Sequence, residues 1–467
     1  MSFFKSLFRI KPADFESLPS GLRRCLNAFD LTLLGIGAII GAGIFVLTGI
    51  AAATQAGPSI IVSYILASIA CGFCALAYAE LAASIGGSGS AYGYLFAGVG
   101  EFIAWIIGWD LLLAYSVNAA TISVGWSAYA NSALVAMGIH IPQSLLTDPF
   151  NGGIVNLPAL LVVFALASIL SIGPKQSSRF NNIIVFIKLA VIALFIGIGF
   201  FYFDAEKWKP FVPFGLQGIV NGAGLIFFAY IGFDAVSTAA EETIRPQRDL
   251  PIGIIASLAI CTIIYVLFAG LLTGMMYYPD LNVSSPATSA LLHVGHHFAA
   301  GVVAIGAVAG LTTGILAMYY GFTRVYLAMA RDGLLPQIFV KVCPKSGSPK
   351  QLIWSGGVII ALVAGFFPIA QIANLVNIGA LAAFVAVCAC VLVLRKTKPD
   401  MPRPFKTPFS PVVPILGIVM CGYLMLSLPA ITWISFAIWT VLGLFVYFIY
   451  GRFNSVVRYL DLAVAKA

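Results

Sequence analysis

The chain has 467 residues and a formal charge of +8, yet only 9% of it is charged, 61% is hydrophobic and the mean hydropathy is +1.01. A soluble domain carries roughly 25% charged residues, so most of this chain is unable to face water, and the soluble, disordered, collagen-like and disulfide-scaffold classes are excluded. The positive charge needs no nucleic-acid partner, because Lys and Arg collect on the cytoplasmic loops of membrane proteins.

In chain order, Met1–Asp30 is polar and basic and reads as a cytoplasmic N-terminal segment, not a signal peptide. Twelve apolar stretches follow, at 31–54, 58–84, 101–137, 157–173, 180–203, 215–238, 251–277, 298–329, 352–369, 371–394, 410–428 and 431–450. Each is long enough, or nearly so, to cross a ~30 Å hydrocarbon core as a helix, and none alternates with the period of two that barrel strands require. The third and eighth are longer than one crossing needs and are expected to tilt or extend beyond the membrane. The expected fold is therefore an all-α integral membrane protein of about twelve transmembrane helices. With the N-terminus inside, every one of the 25 Lys and Arg residues except Lys188, Lys207 and Lys209 falls on cytoplasmic segments. That asymmetry places both termini, including the tail 451–467, in the cytoplasm of a cell (plasma or inner) membrane protein.

Two spans are poor helices. The first contains Gly35, Gly37, Gly41 and Gly43 within nine residues, each costing up to ~1 kcal/mol relative to Ala. Close helix packing through Gly37-x-x-x-Gly41 would explain them equally well. The sixth span repeats the pattern, with Gly222, Gly224 and Gly232 around Phe227–Asp234. The weak centres thus open two successive blocks of five spans, 31–203 and 215–394, followed by two extra spans at 410–450. Because five is odd, the second block enters from the opposite side, which makes the repeats inverted. Glycine-interrupted segments at matching positions in two halves point to a transporter's midplane site. An unwound turn there frees N–H groups suited to a carboxylate and carbonyls suited to an ammonium, the main chain of an amino acid.

Among the ionisable residues inside spans, Glu80, Glu101 and Asp234 are expected near the cytoplasmic ends of their helices, solvated at the interface. Asp110 lies deeper, on the long third span. Lys188 comes eight residues into the fifth span, about 12 Å along at 1.5 Å per residue. Its stem could snorkel to the interface. Alternatively, burial penalises the ammonium and makes Lys188 a proton site, bridging the unwound first span to a hydroxyl of the eighth, with Thr312 and Thr313 as suppliers. Glu241 and Glu242, ending span six, form either a cytoplasmic gate with nearby arginines or an ordinary solvated turn. His293 and His297 are spaced like metal ligands but have no third partner, and neither a metal, a cofactor nor a set of catalytic residues is expected.

The run Gly35–Phe45 resembles the amino acid–polyamine–organocation superfamily, and more closely its cationic amino acid transporter branch. So do Phe228–Asp234 continuing through Glu242, Arg245–Ile254, Met329–Pro336 and Arg403-Pro404-Phe405. The match extends from about residue 20 to 450. The resemblance implies a five-plus-five inverted-repeat (LeuT-like) fold with discontinuous helices one and six, alternating access and transport of amino acids. It places substrate contacts at Ile40, Gly41, Ala42 and Gly43 and at Phe228, Ala229 and Ile231, with Met318 in the side-chain pocket. It also puts Lys188 where proton-coupled members carry a fifth-helix lysine. Branch members that take cationic substrates often have Glu in a Leu-Glu-Tyr setting on the third span. Here the run is Leu113-Ala114-Tyr115, so Ala114 supplies no countercharge.

The expected activity is proton-coupled secondary transport of neutral L-amino acids, with an amino acid, a proton and the lipid bilayer as partners. An exchanger of amino acids or polyamines with the same fold is the alternative, and a non-transporting amino-acid sensor is another. The sequence leaves open whether a small membrane-protein accessory subunit joins it.

Overall fold

The computed structural model describes residues 8–11, 22–41, 43–136, 138–283, 285–367, 369–426 and 428–458. Among them there is no β-strand, only two isolated bridges. The spans are built from α1 (Ala28–Ile39), α2 (Ile60–Ser84), the short α3 (Ala91–Gly98), α4 (Glu101–Ala136), α5 (Leu157–Ile172) and α6 (Pro174–Phe201). The second half holds α7 (Gly215–Ile226), α8 (Pro246–Met275), the short α9 (Pro286–His293), α10 (His297–Arg331), α11 (Lys350–Phe366) and α12 (Ile369–Thr397). It is followed by α13 (Val412–Leu426) and α14 (Ala430–Val446). Eight helical stretches are long and apolar enough to cross a membrane, and four further apolar helices are shorter. The protein is an all-α membrane protein with the twelve crossings expected.

The first and sixth crossings are broken. α1 is opened by a capping box, in which the Asn27 side chain accepts from the Phe29 and Asp30 amides while Asp30 accepts from Asn27 N–H. It ends at Ile40, whose backbone turns extended at φ −77°, ψ 94°. A helical run resumes at Gly43–Leu47 and continues, π-wound at both ends, through Thr48–Ala51 to Ala52–Ala56. In the sixth crossing α7 tightens into a 3₁₀ turn at Phe227–Tyr230, becomes extended at Ile231, and restarts as the 3₁₀ segment Phe233–Glu242. Gly232 makes that corner at φ 131°, a conformation that only glycine adopts freely.

Packing repeats with a period of five crossings. Crossing two lies against seven, three against eight and four against nine; eight also packs on five just as three packs on ten, and one on seven just as six packs on two. Adding five to each number maps these partners onto themselves, the signature expected of two structurally equivalent halves.

Some boundaries differ from the sequence reading. The fifth crossing begins at Pro174, six residues before the apolar run, because proline is well placed in a first helical turn. Lys188 is therefore fourteen residues into a helix of 28, at its middle and deeper than the apolar pattern implied. Nor are Glu80, Glu101 and Asp234 solvated. They are fully buried and partnered: Glu80 by Arg395 and the Thr407 amide, Glu101 by Tyr447 and Ser455, and Asp234 by Tyr115. Segments flanking the crossings fold back onto Glu80 and Glu101, while a phenol from the middle of α4 meets Asp234, and apolar windows are blind to both.

Candidate functional site

The two breaks face each other. A β-carbon placed on Gly43 would lie 2.3 Å from the Ala229 Cβ and 2.6 Å from its Cα, so only glycine lets the broken helices touch here. Behind them Tyr265 of α8 sets its hydroxyl 2.8 Å from the Ile39 carbonyl and 2.9 Å from the Ala229 carbonyl, reaching the end of α1 and the sixth-crossing turn together. Tyr64 and Tyr230 pack on Tyr265 at ring-centroid distances of 5.2 Å each, and Tyr64 shares a 2.6 Å hydrogen bond with Thr48. This wall of phenols gives the interrupted backbone partners away from lipid, the condition on which irregular backbone survives in a membrane.

Lys188 occupies the other side of the first break. It is 0% exposed, and the three N–H donors of its ammonium are shared among four acceptors within hydrogen-bond distance, the carbonyls of Ile36 (3.1 Å), Gly37 (3.1 Å) and Ile40 (3.0 Å) and Thr313 Oγ1 (2.9 Å). Removing an ammonium from water costs several kcal/mol after relaxation. Two features offset that cost here: four acceptors within hydrogen-bond range, and the negative end of the α1 dipole, worth up to ~2 kcal/mol to a partly buried cation. Snorkelling does not describe this lysine, since its head turns inward. Thr313 in turn donates back toward the Gly310 carbonyl at 2.8 Å. Thr312, its neighbour on α10, points elsewhere and accepts from Trp126 Nε1 at 2.9 Å while bonding the Val308 carbonyl. Of the two threonines, only Thr313 meets Lys188.

The second break is held by charge of the opposite sign. Asp234 Oδ1 accepts from the Gly232 amide at 3.2 Å, capping the N-terminus of the restarted segment, and Oδ2 accepts from the Tyr115 hydroxyl at 2.6 Å.

The expected substrate-contact positions gather around these breaks. Ile40, Gly41, Gly43, Ala229, Ile231 and Met318 are buried and Phe228 is half-buried; Ala42 lies outside the described residues. A β-carbon on Gly41 would meet nothing within 4 Å, although Gly41 is itself buried, so open space adjoins the first break inside the protein. Met318 Cε comes within 2.9 Å of the β-carbon position of Gly232. Ala114 on α4 packs toward α12, its Cβ 3.5 Å from the β-carbon position of Gly379.

At the face carrying most of the basic residues, Glu242 is buried against Arg324 at 2.7 Å and hydrogen-bonded to Tyr320, while Glu241 pairs with Arg331 at 2.7 Å and accepts from the Ser88 amide. The Glu242 carbonyl also accepts the Cys25 and Leu26 amides, and Ile244 N–H donates to the Leu26 carbonyl. The approach to α1, the end of the sixth crossing and α10 are thereby tied together; Glu242 is buried, and Glu241 is paired but partly exposed. A narrow cleft lined by Asp30, Leu34, Asn181, Glu242, Leu316 and Tyr320 lies among these elements.

Three participants escaped the sequence reading. Tyr265 and Tyr115 were detectable in principle, because a tyrosine in mid-span must bring a partner for its hydroxyl. Arg403, noted only as part of a motif, folds back onto the carbonyls of Leu394 and Lys398 and closes the end of α12.

An all-α membrane protein with two helices broken at one level, and a buried lysine on one of the breaks, has the architecture of a membrane transporter rather than an enzyme. The chain belongs to the amino acid permease family, whose sequence profile matches residues 26–451, within the superfamily that the motifs indicated. It is 47% identical over 458 residues to the methylthioribose transporter of Bacillus subtilis, covering 97% of this chain and 99% of that protein. It is also 47% identical over 461 residues to the branched-chain amino acid permease BcaP of the same organism, covering 96% and 98%. The vacuolar cationic amino acid transporter 4 of Arabidopsis thaliana is 36% identical over 408 residues, 85% of this chain and 68% of that one. Amino acid transport across a membrane is thus the function of the family to which the chain belongs.

Proposed function

We propose that the protein is a proton-coupled symporter of neutral L-amino acids, working by alternating access in the cell membrane with both termini cytoplasmic. Its halves, 31–203 and 215–394, act as inverted repeats, and 410–450 adds two flanking crossings. The observation that carries this reading is the contact of the two breaks at Gly43 and Ala229 beside the Lys188 cluster. Interrupted main chain at Ile40–Gly43 and Phe228–Ile231 offers donors and acceptors to the zwitterion, and apolar Ile40, Ile231 and Met318 surround an uncharged side chain. The similarity to a branched-chain amino acid permease agrees with such a pocket.

Coupling follows from hydrogen-bond capacity. An ammonium has three N–H donors and satisfies the α1 carbonyls; the neutral amine has two and exposes a lone pair to acceptors. Protonation therefore favours the arrangement in which α1 is held against α6 and α10, and deprotonation releases it. Differential stabilisation of two conformations is what a coupling ion must supply. The tie among Glu242, Arg324, Tyr320 and Leu26 serves as the inner gate, open only when α1 swings away.

A second reading rests on the equal similarity to a methylthioribose transporter: an uncharged thioether sugar would suit the same pocket. A thermal-shift screen of the purified protein against the twenty amino acids and methylthioribose decides the substrate. Stabilisation by branched-chain or other neutral amino acids supports the proposal; stabilisation by the sugar alone, or by arginine and lysine alone, contradicts it. In proteoliposomes, uptake that requires a preloaded lumen would identify an exchanger, and binding without flux a sensor. Ala114→Glu should improve arginine binding if position 114 faces the side-chain pocket, and unchanged affinity would remove Ala114 from it.

A further inference from the structure

Glu80, Glu101 and Asp234 all have partners inside the protein, but Asp110 differs. It is 0% exposed on α4, and among the described residues neither carboxyl oxygen has a hydrogen-bond partner. An ionised carboxylate in that position would be buried and unpaired, which is prohibitively costly, so the group is stable there only as the acid or with a cation beside it. As a structural strut it contributes nothing, because it makes no bond that leucine or asparagine would lose.

Asp110 is also not isolated along its helix. Asn118 Oδ1 and Thr121 Oγ1 are likewise buried without partners among the described residues, and 110, 114, 118 and 121 recur at the spacing of one helical stripe. That stripe includes the contact with α12: the β-carbon position of Gly379 is 3.4 Å from the Asp110 carbonyl oxygen and 3.5 Å from Ala114 Cβ. Its upper end is level with the Lys188 cluster, since Ile122, next to Thr121, packs on the β-carbon position of Gly314, itself 4.0 Å from the Gly37 carbonyl that Lys188 holds. From Thr121 to Asp110 the stripe descends about 16 Å toward the Glu101 end of α4.

The charged groups on and around α4 are committed elsewhere. Glu101 is bound by Tyr447, Ser455 and Arg9, Arg324 by Glu242, Arg331 by Glu241 and Arg395 by Glu80; the phenols Tyr92 and Tyr115 hold Asp332 and Asp234. None of them pairs with Asp110.

We propose that Asp110 is a second proton-binding group, separate from Lys188, and that the Asp110–Asn118–Thr121 stripe between α4 and α12 is its path for proton exchange. In the state described here the carboxyl carries the proton. When the α4–α12 contact loosens, water enters the stripe, the O–H bond breaks, the proton passes to that water and a solvated carboxylate remains. This deepens the symport proposal and rests on it for the coupling role, though not for the protonation itself.

The test uses the full-length protein and three forms, wild type, Asp110→Asn and Asp110→Glu. Infrared difference spectra of the purified protein across a pH titration should contain a carboxylic-acid carbonyl band that Asp110→Asn removes and Asp110→Glu moves. In proteoliposomes Asp110→Asn should bind substrate as the wild type does, by thermal shift, but carry fewer protons per substrate, with Asp110→Glu restoring the ratio. Proton-driven wild-type uptake together with an unchanged ratio and spectrum in Asp110→Asn would overturn the assignment while leaving Lys188 in place. Wild-type uptake that moves no protons would overturn the symport reading and the coupling role of Asp110 with it. The infrared band would then still decide whether Asp110 carries a proton.

Discussion

The two broken helices solve one problem with opposite charges. At the first break the chain ends a helix, so carbonyls are left over, and the ammonium of Lys188 gathers those of Ile36, Gly37 and Ile40. At the second it begins one, so an amide is left over, and the carboxylate of Asp234 takes it from Gly232. Each side chain matches the sign of the helix end it serves. They differ in what anchors them. Asp234 is fixed by a phenol from α4, whereas Lys188 reaches across from α6 and shares its charge between α1 and Thr313 of α10. On the proposed coupling, a cap that belongs to its own chain segment and is pinned by a neighbour is static, whereas a cap lent by another helix is one that deprotonation withdraws.

Enlarging the contact between the breaks should have the largest effect. Gly43→Ala forces its methyl into Ala229, including main-chain atoms, an overpacking that costs about 1–3 kcal/mol; a lowered Tm and loss of substrate binding are expected together. Asp234→Ala removes the static cap and strands the Tyr115 hydroxyl, so a loss of about 1–3 kcal/mol is expected in the unfolding midpoint, with the pH dependence of uptake retained. Gly41→Ala sharpens the comparison from the other side. Its methyl enters open space, so stability should change by no more than about 0.5 kcal/mol, while substrate affinity, measured by equilibrium binding, should fall. A Gly41→Ala protein with wild-type affinity would move the substrate away from the first break.

Much of the fold was legible because membrane spanning imposes a simple rule on the sequence, about twenty apolar residues at a time. Both breaks could be located from Gly41, Gly43 and Gly232, and Lys188 from its presence in an apolar run. What apolar windows conceal is how polar groups find one another. Glu80 meets Arg395 and the amide of Thr407 across more than three hundred residues, and Glu101 collects Arg9 from one end of the described chain and Ser455 from the other. Thr312 and Thr313 were equivalent in sequence; one residue of helical rotation sends the first to Trp126 and the second to Lys188. The bridging role of Tyr265 depended on two helices ending at the same height, which no local pattern encodes.

The withdrawable cap is tested most directly by uptake into proteoliposomes under an inward proton gradient, comparing the wild type with Lys188→Ala. The wild type should accumulate a neutral amino acid with proton entry. Lys188→Ala should remain folded, with a thermal shift on adding substrate, yet show no gradient-driven accumulation. Accumulation by Lys188→Ala with the pH dependence of the wild type would contradict the account.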